Sequence, residues 1–319
     1  MTKRAVLKGI GHYLPKRLVE NTEFEKTLDT SDEWIRARTG IERRHLSDET
    51  ETTSAMAIEA AKAALTDAGK SVDDVDAIIL ATSTADHTFP SAATMVQRGL
   101  GMSRGFAFDV QAVCAGFVYA LTTAKSMIES GQAKSVMVIG SEMFSKLMDW
   151  TDRSTCVLFG DGAGAILLEA ENTEDRGIMS ANLFSDGRHK DILFVDGGVS
   201  MQTTGHLRMQ GKEVFRHAVD KLSSATKQAL AAAGMTPDDV DWIVPHQANR
   251  RILEGVSKKL KVPMSQIVST VQDHGNTSAA SIPLALSVAH SKNTFKDGDV
   301  LVFGAIGGGL AWGTVVLKL

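Results

Sequence analysis

Three residues far apart in the chain are of the types that nucleophilic acyl chemistry uses: Cys114, His246 and Asn276. Cys114, in FDVQAVCAGFVYAL, follows an apolar strand-like run and opens a helix. A thiol there feels the positive end of the helix dipole, which lowers its pKa and favours the thiolate. Cysteine is also among the most buried residue types, so this segment alone fits an inert core cysteine equally well. His246, in IVPHQAN, stands just past the C-terminal end of an apolar strand, the edge where α/β sheets gather functional groups. A lone histidine there is more often structural. Asn276, in DHGNTSAAS, precedes a small-residue helix much as Cys114 does. Cys, His and Asn from distant segments form a recognisable nucleophilic set once a fold brings them together.

The means of bringing them together is written in the chain twice. Residues 64–79 (ALTDAGKSVDDVDAII) reappear as residues 229–244 (ALAAAGMTPDDVDWIV), an offset of 165. A second echo, KSVMVIGSE from Lys134 against GDVLVFGAI from Gly298, reads at 164. Two long copies indicate a duplicated, pseudo-symmetric body, since a solenoid needs at least three short repeats. In each copy a helix ends at Gly69 or Gly234 and an apolar strand follows. Next come a loop, a helix rich in Ala, Ser, Gly and Thr (residues 114–129 and 278–290) and another apolar strand, from Val136 or Val300. Gly-rich runs expected to be turns, FGDGAGA and GAIGGGLAWG, lead into closing strands. This alternation predicts mixed α/β sheets, with the small-residue helices sandwiched between two of them. The half boundary is expected near residue 172, giving a Cys-bearing half (1–172) and a His- and Asn-bearing half (173–319). Loops after corresponding strands should then meet at a common two-fold axis, where Cys114, His246 and Asn276 converge.

Composition narrows the function classes. A net charge of −4 argues against a nucleic-acid partner. No apolar run reaches the ~18 residues of a spanning helix, so no membrane role is expected. The basic start, MTKRAVLKGIGHYLPKR, is interrupted by Lys8, Gly9 and Gly11 before a signal-peptide core can form, and a cytoplasmic location is expected. Two cysteines 42 positions apart and scattered histidines offer no metal-ligand spacing, and neither Gly-rich run has the Lys-Ser/Thr of a P-loop.

The chain resembles the thiolase-fold condensing enzymes and, within them, the β-ketoacyl-acyl carrier protein synthase III family. SDEWIRARTGIERRH, HTFPSAA, VCAGFVYAL, LFGDGAGA, PHQANRRI, HGNTSAAS and the GGG turn followed by WG carry the resemblance, which covers nearly the whole chain. It implies a five-layer α-β-α-β-α architecture with two mixed sheets around buried helices. It also implies that Cys114 takes an acyl group from acyl-CoA. His246 and Asn276 then stabilise the enolate formed when malonyl-acyl carrier protein loses CO2. Backbone N–H groups of Cys114 and Gly309 would form the oxyanion hole for the acyl carbonyl. By the same resemblance Trp34 and Arg153 bracket the CoA adenine, with Thr30, Arg38 and Asn249 along the tunnel. Arg250, Arg251, Lys258 and Lys259 would receive the acidic carrier protein, Arg251 foremost. Phe89 would reach into the acyl pocket of a homodimer partner, and no cofactor is implied, CoA being a substrate. Val113, Gly304, Ile306 and Leu310 depart from residues frequent in the family, which leaves acyl-chain preference open. The same triad would also suit a secondary-metabolism enzyme of this fold acting on another acyl-CoA. A papain-type hydrolase would want a Cys-Gly-x-Cys-Trp-like context, which is absent, and would not explain the duplication.

Overall fold

The computed structural model describes residues 2–319. The first half contains β1 (Lys3–Tyr13), β2 (Arg17–Glu20), α1 (Asp32–Thr39), β3 (Arg43–Leu46), α2 (Thr53–Ala68) and β4 (Ala77–Ala81). It continues through α3 (Ala92–Gly99), β5 (Phe106–Val110), α4 (Gly116–Ser130), β6 (Ser135–Met143) and β7 (Asp161–Asn172). Then follow β8 (Gly177–Ser185), β9 (Leu193–Val195), β10 (Leu207–Met209), α5 (Gly211–Ala232), β11 (Trp242–Ile243) and α6 (Arg250–Leu260). The chain ends with α7 (Val271–His274), α8 (Ser281–Ser291), β12 (Val300–Gly307) and β13 (Ala311–Lys318).

Two mixed sheets run β1-β7-β6-β4-β5 and β8-β13-β12-β11. Each has the same plan: β6 pairs with β4, and β12 with β11, in parallel, while the strands beyond are antiparallel. The counterpart of β5 is reduced to a single parallel bridge between Ile243 and Ile267. Helices α2 and α3 cover one outer face, α5 and α6 cover the other, and α4 and α8 lie between the sheets. These are the five layers that the resemblance implied. The middle layer is thin because its helices present small side chains: Gly116, Ala120 and Ala124 of α4 are all fully buried. Tyr119 on the same helix donates its hydroxyl to the Phe184 carbonyl of β8 at 2.9 Å. Residues of both halves share this one core, among them Phe117, Leu121, Ile282 and Phe303.

The repeated stretch folds alike in both copies. Ser71 with Asp74, and Thr236 with Asp239, close equivalent capping boxes ahead of β4 and β11. Pairing register corrects the second echo. Ile78 faces Met137, and Ile243 faces Val302, so β6 and β12 correspond at 165 and not 164. Glu142 therefore answers Gly307. Two further expectations shift. Each buried helix is preceded by a 3-10 turn, Val113–Ala115 or Ser278–Ala280, so Cys114 sits in that turn rather than in the α-helix. The FGDGAGA run is mostly strand β7 and not a turn. A side-chain carbon on Gly164 would stand 2.7 Å from backbone atoms of Pro283 and Leu284, so the missing side chain admits α8.

Candidate active site

One buried cavity, of about 720 Å³ including its mouth, is lined by Cys114, His246, Asn276 and Asn249 together with apolar side chains. Phe144 and Phe159, stacked at 5.1 Å, and Leu193, Leu207, Leu222 and Ile306 supply most of the apolar wall. The three polar side chains come from the ends of different elements. Cys114 is held by the turn that opens α4, where Val113 takes φ 49° and Ala115 N–H closes on the Ala112 carbonyl at 3.0 Å. His246 follows β11 and remains zipped to β12, its N–H donating to the Gly304 carbonyl at 2.8 Å. Asn276 is tied to the other half: its N–H donates to the Leu158 carbonyl (2.8 Å) and its carbonyl accepts from Gly160 N–H (3.0 Å).

Each polar side chain has one end already engaged. The Nδ1 of His246 meets the Ser281 hydroxyl at 2.7 Å, and that hydroxyl also accepts Gln247 N–H at 3.3 Å. The Oδ1 of Asn276 accepts Ser278 N–H at 2.9 Å, which leaves its amide NH2 as the free donor. The loop between them is braced by Gln247, whose Oε1 accepts N–H bonds from Thr270 and Val271 and whose amide donates to the Pro245 and Val268 carbonyls.

Burial sets the protonation states. It pushes the His246 imidazole down to about 3, so the ring is neutral at ordinary pH. The expected lowering of the Cys114 pKa is overturned. Burial pushes the thiol up to about 12 and the Glu142 carboxylate adds to the rise, while the Ser278 hydroxyl and the cysteine's own backbone N–H oppose it. Cys114 therefore rests as a thiol. The Gly-rich turn touches it through Gly307, where a side-chain carbon would lie 2.6 Å from the Cys114 nitrogen. Gly309 sits further along, at φ 133°, and its open side meets only Ala311.

Comparison with known proteins is decisive at this point. The profile of the 3-oxoacyl-[acyl-carrier-protein] synthase III family matches residues 108–187, and its C-terminal counterpart matches residues 230–319. The β-ketoacyl-[acyl-carrier-protein] synthase III of Ruegeria sp. is 69% identical over 322 residues, spanning 100% of both chains. The chain belongs to the synthase III family. The crystal structure of 3-oxoacyl-[acyl-carrier-protein] synthase III from Aquifex aeolicus aligns at TM-score 0.94 and 44% identity, over 99% of this chain and 100% of that one. The priming β-ketosynthase of a polyketide pathway aligns at TM-score 0.94 but 32% identity, over 100% and 98% of the two chains.

Of the residues that the resemblance assigns to CoA, the carrier protein and the dimer contact, all but one lie outside the cavity of this synthase III chain. Asn249 lines it and caps α6, accepting Ile252 N–H at 3.0 Å. Trp34, half-buried on α1, has two guanidinium groups over its ring, Arg153 at 5.4 Å and Arg38 at 5.7 Å from the centroid. The Arg153 fork also reaches the carbonyl and carboxylate of Asp29. The buried hydroxyl of Thr30, one residue on, has no hydrogen-bond partner among the described residues. The basic residues divide. Arg251 lies over the ring of Phe215, a cavity-lining residue, at 5.7 Å. Arg250 is paired with Glu254 (2.9 Å), Lys259 is paired with Asp220, and Lys258 and Lys259 lie in the last turn of α6. Cations there suit the helix dipole without any partner. Phe89 is 83% exposed, while a second, open groove shares Val113, Phe144, Leu193 and Leu207 with the cavity wall.

Sequence reasoning passed over Ser278, Ser281, Gln247 and Glu142. The serines were visible as hydroxyls two and five residues after Asn276 at a helix start, and Glu142 as an acid closing the apolar run VMVIGS. Buried acids of that kind need specific partners.

Proposed function

We propose that this protein performs the decarboxylative condensation of an acyl-CoA primer with malonyl-acyl carrier protein that starts fatty-acid chains. Cys114 Sγ attacks the thioester carbonyl of acyl-CoA and the carbon–sulfur bond to CoA breaks. The thiol proton departs with the leaving group as CoA–SH. Backbone N–H groups of Cys114 and Gly309 are the donors assigned to the acyl oxygen. In the second half-reaction the bond to the malonyl carboxylate breaks, CO2 leaves, and the electron pair forms an enolate on the carrier-protein thioester. His246 Nε2 and the Asn276 amide donate to that oxygen. The enolate carbon then bonds to the acyl carbon, Cys114 leaves as thiolate and takes a proton from solvent. The atoms balance with CoA as a substrate and without a further cofactor.

The observation that carries this reading is the prior engagement of both stabilisers. With Ser281 on Nδ1 and Ser278 on Oδ1, His246 and Asn276 each have one polar atom left, and both side chains line the cavity that holds the thiol. The Ser281 hydroxyl is assigned as the donor to Nδ1, the tautomer that the reaction needs, with the ring proton on Nε2. A neutral imidazole and an amide are donors that cost no reorganisation as charge develops. Trp34 with Arg38 and Arg153 would stack the adenine of CoA, with Thr30 and Asn249 along the tunnel. Arg251 at the mouth would steer the acidic carrier protein, with weaker help from Arg250, Lys258 and Lys259. The exposed ring of Phe89 suits a homodimer contact. Among the described residues no helix is long and apolar enough to cross a membrane, and the substrates assigned are cytoplasmic ones.

Intact-mass measurement after incubation with a panel of acyl-CoAs, followed by malonyl-carrier protein, tests the scheme. One acyl group should add to the wild type and leave as a β-ketoacyl product. Acyl labelling of Cys114→Ala would remove the nucleophile assignment. The panel also separates a fatty-acid primer from the acyl group of a specialised pathway.

A further inference from the structure

Behind the cavity lies a carboxylate that the reaction scheme does not use. Glu142, at the end of β6, is fully buried. Its Oε2 accepts from Thr84 Oγ1 (2.6 Å), Ser83 N–H (3.0 Å) and Thr82 Oγ1 (3.2 Å), all in the loop after β4. Its Oε1 accepts from the hydroxyl of Ser278 at 3.1 Å. Three bonds thus anchor the carboxylate in the first half, and the fourth crosses to the second.

Ser278 is the residue that holds Asn276. Its N–H is bonded to Asn276 Oδ1, and its backbone takes φ 49°, a left-handed conformation rare for a non-glycine residue. Such a conformation persists only when its surroundings over-determine it. The hydroxyl of Ser278 is bonded to Glu142 across the two halves. Symmetry isolates the point. The equivalent turn in the first half has Val113 at φ 49°, and there the residue corresponding to Glu142 is Gly307, packed against the Cys114 backbone. Where the turn presents a nucleophile, the facing strand carries no side chain. Where it presents Asn276, the facing strand carries a carboxylate that grips the turn.

We infer that Glu142 is a positioning residue for the enolate step, fixing the Asn276 amide through Ser278. The inference rests on Asn276 acting as an enolate donor. The readout is the split between two half-reactions: decarboxylation of malonyl-carrier protein without primer, and acyl loading from acyl-CoA. Glu142→Ala should lose decarboxylation by roughly 10- to 100-fold, the scale of a small misplacement of a catalytic group. Its acyl loading should stay within about threefold of the wild type. Glu142→Gln, whose amide can still bond to the Ser278 hydroxyl, should restore decarboxylation to within about threefold. Should Glu142→Ala fail to fold, Ser278→Ala tests the same link, because Glu142 keeps its three other donors. It is read by decarboxylation alone, which should fall as far, since the Ser278 hydroxyl also faces the Cys114 thiol. Unchanged decarboxylation in Glu142→Ala or Ser278→Ala overturns the inference. So does an equal fall of both half-reactions in Glu142→Ala, which would mark a merely structural role. Asn276→Ala separates the two levels. If it decarboxylates normally, the underlying reading fails; if it alone is impaired, only the role of Glu142 does.

Discussion

The two turns that open the buried helices make the most instructive comparison in this molecule. Val113–Ala115 and Ser278–Ala280 share a 3-10 geometry and the same φ of 49° at their first residue. Each is faced by a strand of the opposite half at corresponding positions, Gly307 before one and Glu142 before the other. The backbone kept its symmetry while the side chains diverged. One turn presents a thiol, the proposed seat of the acyl group, to apolar side chains. The other became a polar lattice of Glu142, Ser278, Ser281 and Asn276 that fixes donors in place. Duplication thus supplied two equivalent mounts at one axis, and catalysis needs two unlike groups there.

The sharpest way to break this division of roles is to remove one member from each turn. Cys114→Ala should abolish acyl loading and lower turnover by about 10³-fold or more, since the covalent route is lost; intact mass and steady-state rates check it. His246→Ala and Asn276→Ala should each lower malonyl decarboxylation by roughly 10²- to 10³-fold, the effect of deleting one oxyanion donor, while still accepting some acyl label. Equal loss of both half-reactions in these variants would erase the distinction between the turns.

Glycine positions in β12 give an intermediate test. Gly307→Ala places a carbon 2.6 Å from the Cys114 nitrogen, whereas a carbon on Gly304 meets its neighbours at 3.7 Å or more. Gly307→Ala should destabilise by about 1–3 kcal/mol through overpacking. It should also depress acyl loading about 10²-fold, the effect of a misplaced nucleophile. Gly304→Ala should be near neutral in both, by urea unfolding and intact mass.

The buried titrating groups predict opposing pH effects. His246 and His274 are held at about 3 in the fold against 6.5 as the ordinary value, so between these limits the unfolded chain binds the extra protons. Stability therefore falls as pH drops from 6.5 towards 3. Burial raises Glu142 to about 7 from 4.5, so in that window the folded state binds the extra proton and acid stabilises it. Glu142→Gln should accordingly show a steeper loss of stability between pH 6.5 and 4.5 than the wild type, measured by urea midpoints. The same substitution removes an anion that raises the Cys114 pKa, so alkylation of Cys114 at neutral pH should quicken.

The smallest effects are expected at the rim. Arg251→Ala should raise the KM for the carrier-protein substrate about tenfold with little change in kcat, and less so at high salt. Lys259→Ala, already paired with Asp220 on the surface, should change it by less than about twofold.

The sequence alone determined a great deal. The doubled helix–turn–strand showed the duplication, and the three residue types placed relative to it identified the cavity residues before any coordinate. That was possible because hydrophobic period, glycine stops and capping boxes are local properties, and a repeat carries its own symmetry. Only the tertiary structure decided the rest. The register of β6 against β4 moved the second echo by one residue and thereby set Glu142 opposite Gly307. Burial, which depends on every layer at once, reversed the sign of the Cys114 pKa shift expected from its place at a helix start. The bonds that aim His246 and Asn276 come from Ser281 and Ser278, and the carboxylate behind Ser278 comes from a strand 136 residues away. No local pattern encodes such contacts, because they exist only where the two halves close on each other.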